Sequence, residues 1–140
     1  MSRRVSFDMT RRSGYGGVPG QPGEHLTWLD VLEPAYDAWT TVLDATGRDD
    51  LRMPNFAVAN LTSDFRREMF RTTLDYDVTL ERIGNSSLAL RLDVTQGGAD
   101  TGTIRIVIVR IAPGRGASAG FTTDQRDALE RQMTPSAASR

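Results

Sequence analysis

The sequence predicts a two-layer α+β domain, with one long amphipathic helix covering one antiparallel sheet. Three observations predict it. Apolar residues recur at helical spacing from Glu24 to Thr46. From Asn55 onward the period falls to two. Residues that favour tight turns separate the period-two runs.

A chain of 140 residues fits one domain, spanning 1–133, and buries a core without crosslinks. The small, polar residues 134–140 are expected to form a disordered tail. There is no cysteine, which excludes disulfides, thiolate metal sites and a cysteine nucleophile. His25 is the single histidine, so a histidine-rich metal site is excluded as well. The net charge of -1 gives no electrostatic basis for binding nucleic acid or an anionic membrane. All 17 basic residues are arginine, a side chain suited to phosphate, but their total says less than their positions. No run approaches the ~20 apolar residues of a membrane span. The basic start Met1-Ser2-Arg3-Arg4 is not followed by an apolar stretch, so it does not read as a signal peptide. The expected location is the cytoplasm.

Arg4 to Met9 alternates, with Val5, Phe7 and Met9 on one face of a short first strand. Gly14 to Gly23 follows, with five glycines and two prolines in ten residues, which forbids regular structure. Trp28, Leu29, Leu32, Ala35, Tyr36, Trp39, Val42 and Leu43 then form a wide apolar stripe, expected to be heavily buried. Thr27 is placed to cap this helix, with Asp30 in its first turn, and Gly47 to end it. Pro34 predicts a kink or a restarted turn.

Four strands are expected next: Asn55–Leu61, with Phe56, Val58 and Asn60 sharing a face, then Tyr76–Arg82, Ser87–Val94 and Thr103–Ala112. They read as a meander. Gly84-Asn85 is suited to supply the positive φ angles of one hairpin, and Gln96–Gly102 forms the loop of another. Phe121 to Met133 reads as a short final helix, with Thr122 and Gln125 matching a capping box.

Three stretches carry a family resemblance. Thr79-Leu80-Glu81-Arg82-Ile83-Gly84-Asn85-Ser86-Ser87-Leu88 resembles a strand running into a turn of the form (V/E)-x-R-(I/V)-G-x-S-S. Ser63-Asp64-Phe65-Arg66-Arg67-Glu68-Met69-Phe70 resembles x-D-F-x-R-P/E, and His25-Leu26-Thr27-Trp28-Leu29-Asp30 resembles the helix start Y-x-x-(Y/W)-(F/L)-(D/E). These forms belong to the 4-hydroxybenzoyl-CoA thioesterase-like branch of the hotdog-fold acyl-CoA thioesterases. The resemblance covers nearly the whole chain. It implies a hotdog fold: a long central helix wrapped by a five-stranded antiparallel sheet, here with a short C-terminal helix.

The resemblance also implies hydrolysis of acyl thioesters on coenzyme A or an acyl carrier, with no separate cofactor and no metal, in a homodimer or homotetramer. In that family a carboxylate near the loop-to-helix junction attacks the thioester or activates water, and backbone amides hold the oxyanion. The family's D-x-D-x-x-G-H-(V/I)-N signature falls here on Phe7 to Gln21, where Asp8 is the only acid and Arg11 or Ser13 stands at the usual Asp position. Glu24, His25 and Asp30 are therefore the candidate catalytic residues, and Gly16 and Gly17 the candidate oxyanion backbone. Arg66, Arg67, Arg82, Ser86 and Ser87 are the candidate coenzyme A contacts, since arginine and serine both hold phosphate oxygens. The second reading is a non-catalytic hotdog protein that binds an acyl group or a partner, having lost the usual Asp.

Overall fold

The computed structural model describes residues 2–10, 25–112 and 117–133. Gly16, Gly17, Glu24 and the expected tail lie outside the described residues. Strands β1 (Ser2–Asp8), β2 (Phe56–Phe65), β3 (Thr73–Ile83), β4 (Ser87–Gln96) and β5 (Ala99–Arg110) form one antiparallel sheet in the order β1-β3-β4-β5-β2. Helix α1 (Trp28–Asp44) packs on β3, β4 and β1, and helix α2 (Thr123–Met133) packs on β3.

The expected meander holds only for β3-β4-β5. Strand β2 lies at the far edge beside β5, so the chain crosses the end of the β4–β5 hairpin to reach β3. The expected strands are also longer than their sequence patterns. Ladder pairing carries β2 on to Phe65, which stands opposite Gly102. Only Gly97 and Gly98, at φ 60° and 80°, form the β4–β5 turn, and Ala99–Gly102 pair into β5. At the other hairpin neither Gly84 nor Asn85 has a positive φ. A Cβ at 84 would lie 2.5 Å from Ser87 Oγ, which would have to turn aside.

The helix-facing side of the sheet carries the core. Leu88, Leu90, Leu92 and Val94 on the central strand β4 are fully buried, each worth roughly 1.5–3 kcal/mol relative to exposure. Ile104, Ile106 and Ile108 flank them on β5, and Leu74, Tyr76, Val78 and Leu80 on β3. The opposite face is polar and laced by exposed ion pairs such as Arg4–Asp77 and Arg91–Glu81. A bulge at Ala59 shifts the β2 register, so Leu61, and not Asn60, joins Val58 on the helix-facing side.

Helix α1 runs continuously through Pro34, without the restarted turn expected there. Its buried stripe is rotated from the expected one. Val31, Pro34, Ala35, Ala38, Trp39, Val42 and Leu43 face the sheet, while Trp28 is 60% and Tyr36 47% exposed. The small residues Pro34, Ala35 and Ala38 leave room for close helix–sheet contact, which displaces the bulky aromatics to the flank. Tyr36 packs edge-on against Trp39, with ring centroids 5.2 Å apart. The Tyr76 hydroxyl donates to the Val31 carbonyl at 2.5 Å and ties helix to sheet. At α2 the expected capping box is present: Thr122 Oγ1 accepts from Gln125 N at 3.2 Å, and Gln125 Oε1 accepts from Thr122 N at 2.9 Å.

A Cβ at Gly102 would lie 2.8 Å from Phe65 Cδ1 and 2.9 Å from the Asp64 carbonyl oxygen. Gly102→Ala should therefore cost about 1–3 kcal/mol in urea unfolding, as overpacking does. A cost under about 0.5 kcal/mol would show that the β2–β5 edge tolerates a side chain there.

Candidate active site

The site is built from two segments: the first turn of α1, and the crossing strap Arg66–Thr72 between β2 and β3. Thr27 is extended at φ -82° and ψ 167°. Its Oγ1 accepts from Asp30 N at 3.3 Å, and Asp30 Oδ2 accepts from Thr27 N at 2.8 Å and from Thr27 Oγ1 at 3.0 Å. Asp30 is buried in this role, so the expected candidate base serves as the helix cap and does not line the adjoining cavity. Val31 N donates to the Thr27 carbonyl at 3.3 Å. That leaves the amides of Trp28 and Leu29 as the first-turn donors with no acceptor among the described residues. Two such donors at the positive end of a helix dipole suit an anion.

The strap is fastened along its length. Arg66 N and Arg67 N both donate to the Thr101 carbonyl, at 2.9 and 3.3 Å. Gln96 reads both backbone groups of Phe70: Phe70 N donates to Gln96 Oε1 at 2.9 Å, and Gln96 Nε2 donates to the Phe70 carbonyl at 2.8 Å. Leu26 N donates to the Met69 carbonyl at 2.7 Å, and His25 bridges Phe70 in antiparallel fashion. The His25 ring stands edge-on to Phe70, with centroids 4.9 Å apart, and its Nδ1 lies 3.4 Å from Glu68 Oε2. Thus the strap fixes the chain that enters α1.

Two cavities flank the strap. One of about 90 Å³ opens at the α1 N-terminus between Leu26, Thr27, Trp28, Val31, Phe65 and Met69. The other, about 650 Å³, lies across the strap beside Phe70, Thr72, Gln96 and Thr101. Arg67 and Glu68 line both. Among the described residues no group of three or more His, Asp or Glu side chains is arranged to hold a metal.

The expected coenzyme A contacts divide. Arg66 is consumed locally. Its guanidinium forms two bonds to Asp100, at 2.8 and 3.1 Å, one to Asp64 at 2.9 Å and one to Thr103 Oγ1 at 2.8 Å. It holds the Asp100 carboxyl below its ordinary range. Arg67 is exposed and forms no ion pair among the described residues. Arg82, Ser86 and Ser87 stand at the other end of the sheet, about 30 Å away along β3 at the usual strand rise. There the Ser86 and Ser87 carbonyls accept from Arg110 N and Gly84 N as part of the turn. One chain therefore does not bring the two groups into one subsite. Glu68, Phe65, Phe70 and Gln96 were not singled out from the sequence. Only their membership of the Ser63–Phe70 resemblance gave a signal, and Gln96 gave none.

No family model matches the sequence, and no curated protein matches it either. Solved structures do match in fold. A thioesterase from Thermus thermophilus, complexed with coenzyme A and Zn, superposes with a TM-score of 0.76 at 20% identity over 94% of this chain and 95% of that one. A thioesterase-superfamily protein from Jannaschia sp. gives 0.76 at 16% identity over 96% and 94%. A 1,4-dihydroxy-2-naphthoyl-CoA thioesterase from Synechocystis gives 0.72 at 12% identity over 96% and 100%. At these identities the likeness is one of fold: the chain has the hotdog fold of these thioesterase structures.

Gln96→Leu removes both bonds to Phe70 and leaves a backbone donor and acceptor without them. It should lower stability by about 1–3 kcal/mol and speed hydrogen exchange at the Phe70 amide. Unchanged exchange there would show that the strap does not depend on Gln96.

Proposed function

We propose that the chain hydrolyses acyl thioesters, acyl-CoA foremost, at the cavity beside the α1 N-terminus. The observation that carries this reading is the pair of first-turn amides, Trp28 and Leu29, with no acceptor among the described residues, at the helix end that a small cavity of mixed polar and apolar lining adjoins. Water attacks the thioester carbonyl carbon. The carbonyl oxygen becomes an oxyanion held by the two amides and the helix dipole. The carbon–sulfur bond then breaks, and the thiolate leaves and takes up a proton. Leu26, Phe65 and Met69 offer apolar contact to the start of the acyl chain. Arg67, on the shared wall, is the arginine suited to a phosphate of the carrier.

The reading includes a second copy of the chain. Strand β2 is an edge of ten residues, FAVANLTSDF, whose only charge is Asp64, and Ala57 to Asp64 are exposed on both faces. An exposed edge of this length normally carries lysine, proline or further charge to prevent pairing. Val58, at 53% exposure, and Leu61, at 45%, add apolar area on the helix-facing side. Antiparallel pairing of two β2 edges would satisfy the strand and bring a second chain to the Phe65 end, where the cavity opens.

The test is thiol release from a panel of acyl-CoAs of graded chain length. Turnover of at least one member is expected. Leu61→Glu should give monomers by light scattering and lower kcat/KM by on the order of 100-fold, the cost of misplacing a site by about an ångström. Binding without turnover on every member would favour the acyl-binding reading, which the missing signature Asp also supports.

A further inference from the structure

Among the described residues, Glu68 is the one carboxylate lining the cavity at the α1 N-terminus, and also the one lining the larger cavity across the strap. The other acid near the helix start within the described residues, Asp30, is taken up by the cap. Glu68 also faces the only histidine of the chain, with Oε2 at 3.4 Å from His25 Nδ1. The His25 main chain is bridged to Phe70, and its imidazole packs edge-on against the Phe70 ring. Phe70 is in turn clamped by Gln96. A carboxylate at a cavity wall, oriented by an imidazole that is itself fixed by the scaffold, is the arrangement of a general base with a supporting partner.

We propose that Glu68 is the general base of the hydrolytic site and that His25 is its positioning residue. This rests on the thioesterase reading above and names the group that activates the water. His25 Nδ1 stands beside Glu68 Oε2, so Oε1 is the oxygen left to accept a proton from water. As that proton leaves, the water oxygen bonds to the thioester carbonyl carbon, and the oxyanion forms at Trp28 and Leu29. The tetrahedral carbon then expels the thiolate. The proton on Glu68 passes to the departing sulfur, so the products are a carboxylic acid and a thiol, and the carboxylate is restored. His25 does not line either cavity, which is why the carboxylate, and not the imidazole, faces the water. The arrangement supplies from the β2–β3 strap a carboxylate that the family signature places before the helix.

Both side chains are exposed, so their replacement leaves the core intact. Steady-state thiol release is measured for wild type, Glu68→Gln, Glu68→Asp and His25→Ala, with melting temperature as a check on folding. Glu68→Gln should lower kcat by about 100-fold or more, with KM within about threefold, the usual weight of a general base. Glu68→Asp should regain part of the loss. His25→Ala should lower kcat by about tenfold, with KM unchanged, as loss of an orienting partner does. A second readout is independent of turnover. With one histidine, the imidazole nitrogen-15 spectrum contains one residue, and Glu68→Gln should shift its Nδ1 signal.

If wild type turns over and Glu68→Gln retains kcat within twofold, the base assignment is overturned while the thioesterase reading stands. If Glu68→Gln loses activity but leaves the imidazole signals unmoved, the positioning role of His25 is overturned. Wild type that releases no thiol from any acyl-CoA overturns the thioesterase reading and the base together.

Discussion

Seven residues, Arg66 to Thr72, carry the chain from β2 at one edge of the sheet to β3 on the far side of the β4–β5 hairpin. Three interstrand spacings amount to about 14 Å. Seven extended residues reach at most about 23–25 Å. The segment is therefore long enough to cross with length to spare, and its bonds set its course across the end of the hairpin. It is held there by the Thr101 carbonyl, by Gln96 and by the Arg66–Asp100 pair. The strap is one of the two segments of the candidate site, and the other, the first turn of α1, is tied to it through His25 and Leu26.

The entry to α1 follows from that constraint. Leu26 and His25 bond to the strap before the helix begins, so the first turn starts at a fixed place above the sheet. The Thr27–Asp30 box then satisfies the Thr27 and Asp30 amides and leaves those of Trp28 and Leu29 with no acceptor among the described residues. Small residues on the sheet-facing side of α1 draw it close, and the aromatics Trp28 and Tyr36 are left on its flank. The core side of the molecule is complete within one chain, while the β2 edge is open on both faces. That contrast separates what one chain folds by itself from what a second copy would finish.

Much of the fold was legible in the sequence, and the misses have physical causes. The strict alternation of Leu88, Leu90, Leu92 and Val94 identified the central strand, because that strand is buried on one face along its whole length. Thr27 and Thr122 identified the helix starts, because caps are local. Strand order was not legible, since crossing the hairpin depends on contacts such as Gln96 to Phe70, 26 residues apart. The bulge at Ala59 changes which residues share a face, and nothing in NFAVANL marks it. Trp28 and Tyr36 were assigned to the core by their place in the stripe of three- and four-residue spacing, yet the helix rotates to present alanines. For the site, sequence reasoning named His25 as a catalytic candidate and grouped Arg67 with Arg82, Ser86 and Ser87, which stand at the opposite end of the sheet. Glu68 was passed over because its relation to His25 exists only once the strap is laid across the hairpin.

The account's central claim is that an acyl thioester sits with its carbonyl at the α1 N-terminus beside the strap. The direct measurement is titration of the protein with a non-hydrolysable acyl-CoA thioether that carries the acyl carbonyl, followed by amide nitrogen-15 and proton shifts. The account predicts saturable shifts largest at Trp28, Leu29 and Arg67 to Phe70. Saturable shifts confined to Arg82, Ser86 and Ser87 at the other end of the sheet, with Trp28 and Leu29 unmoved, would contradict it.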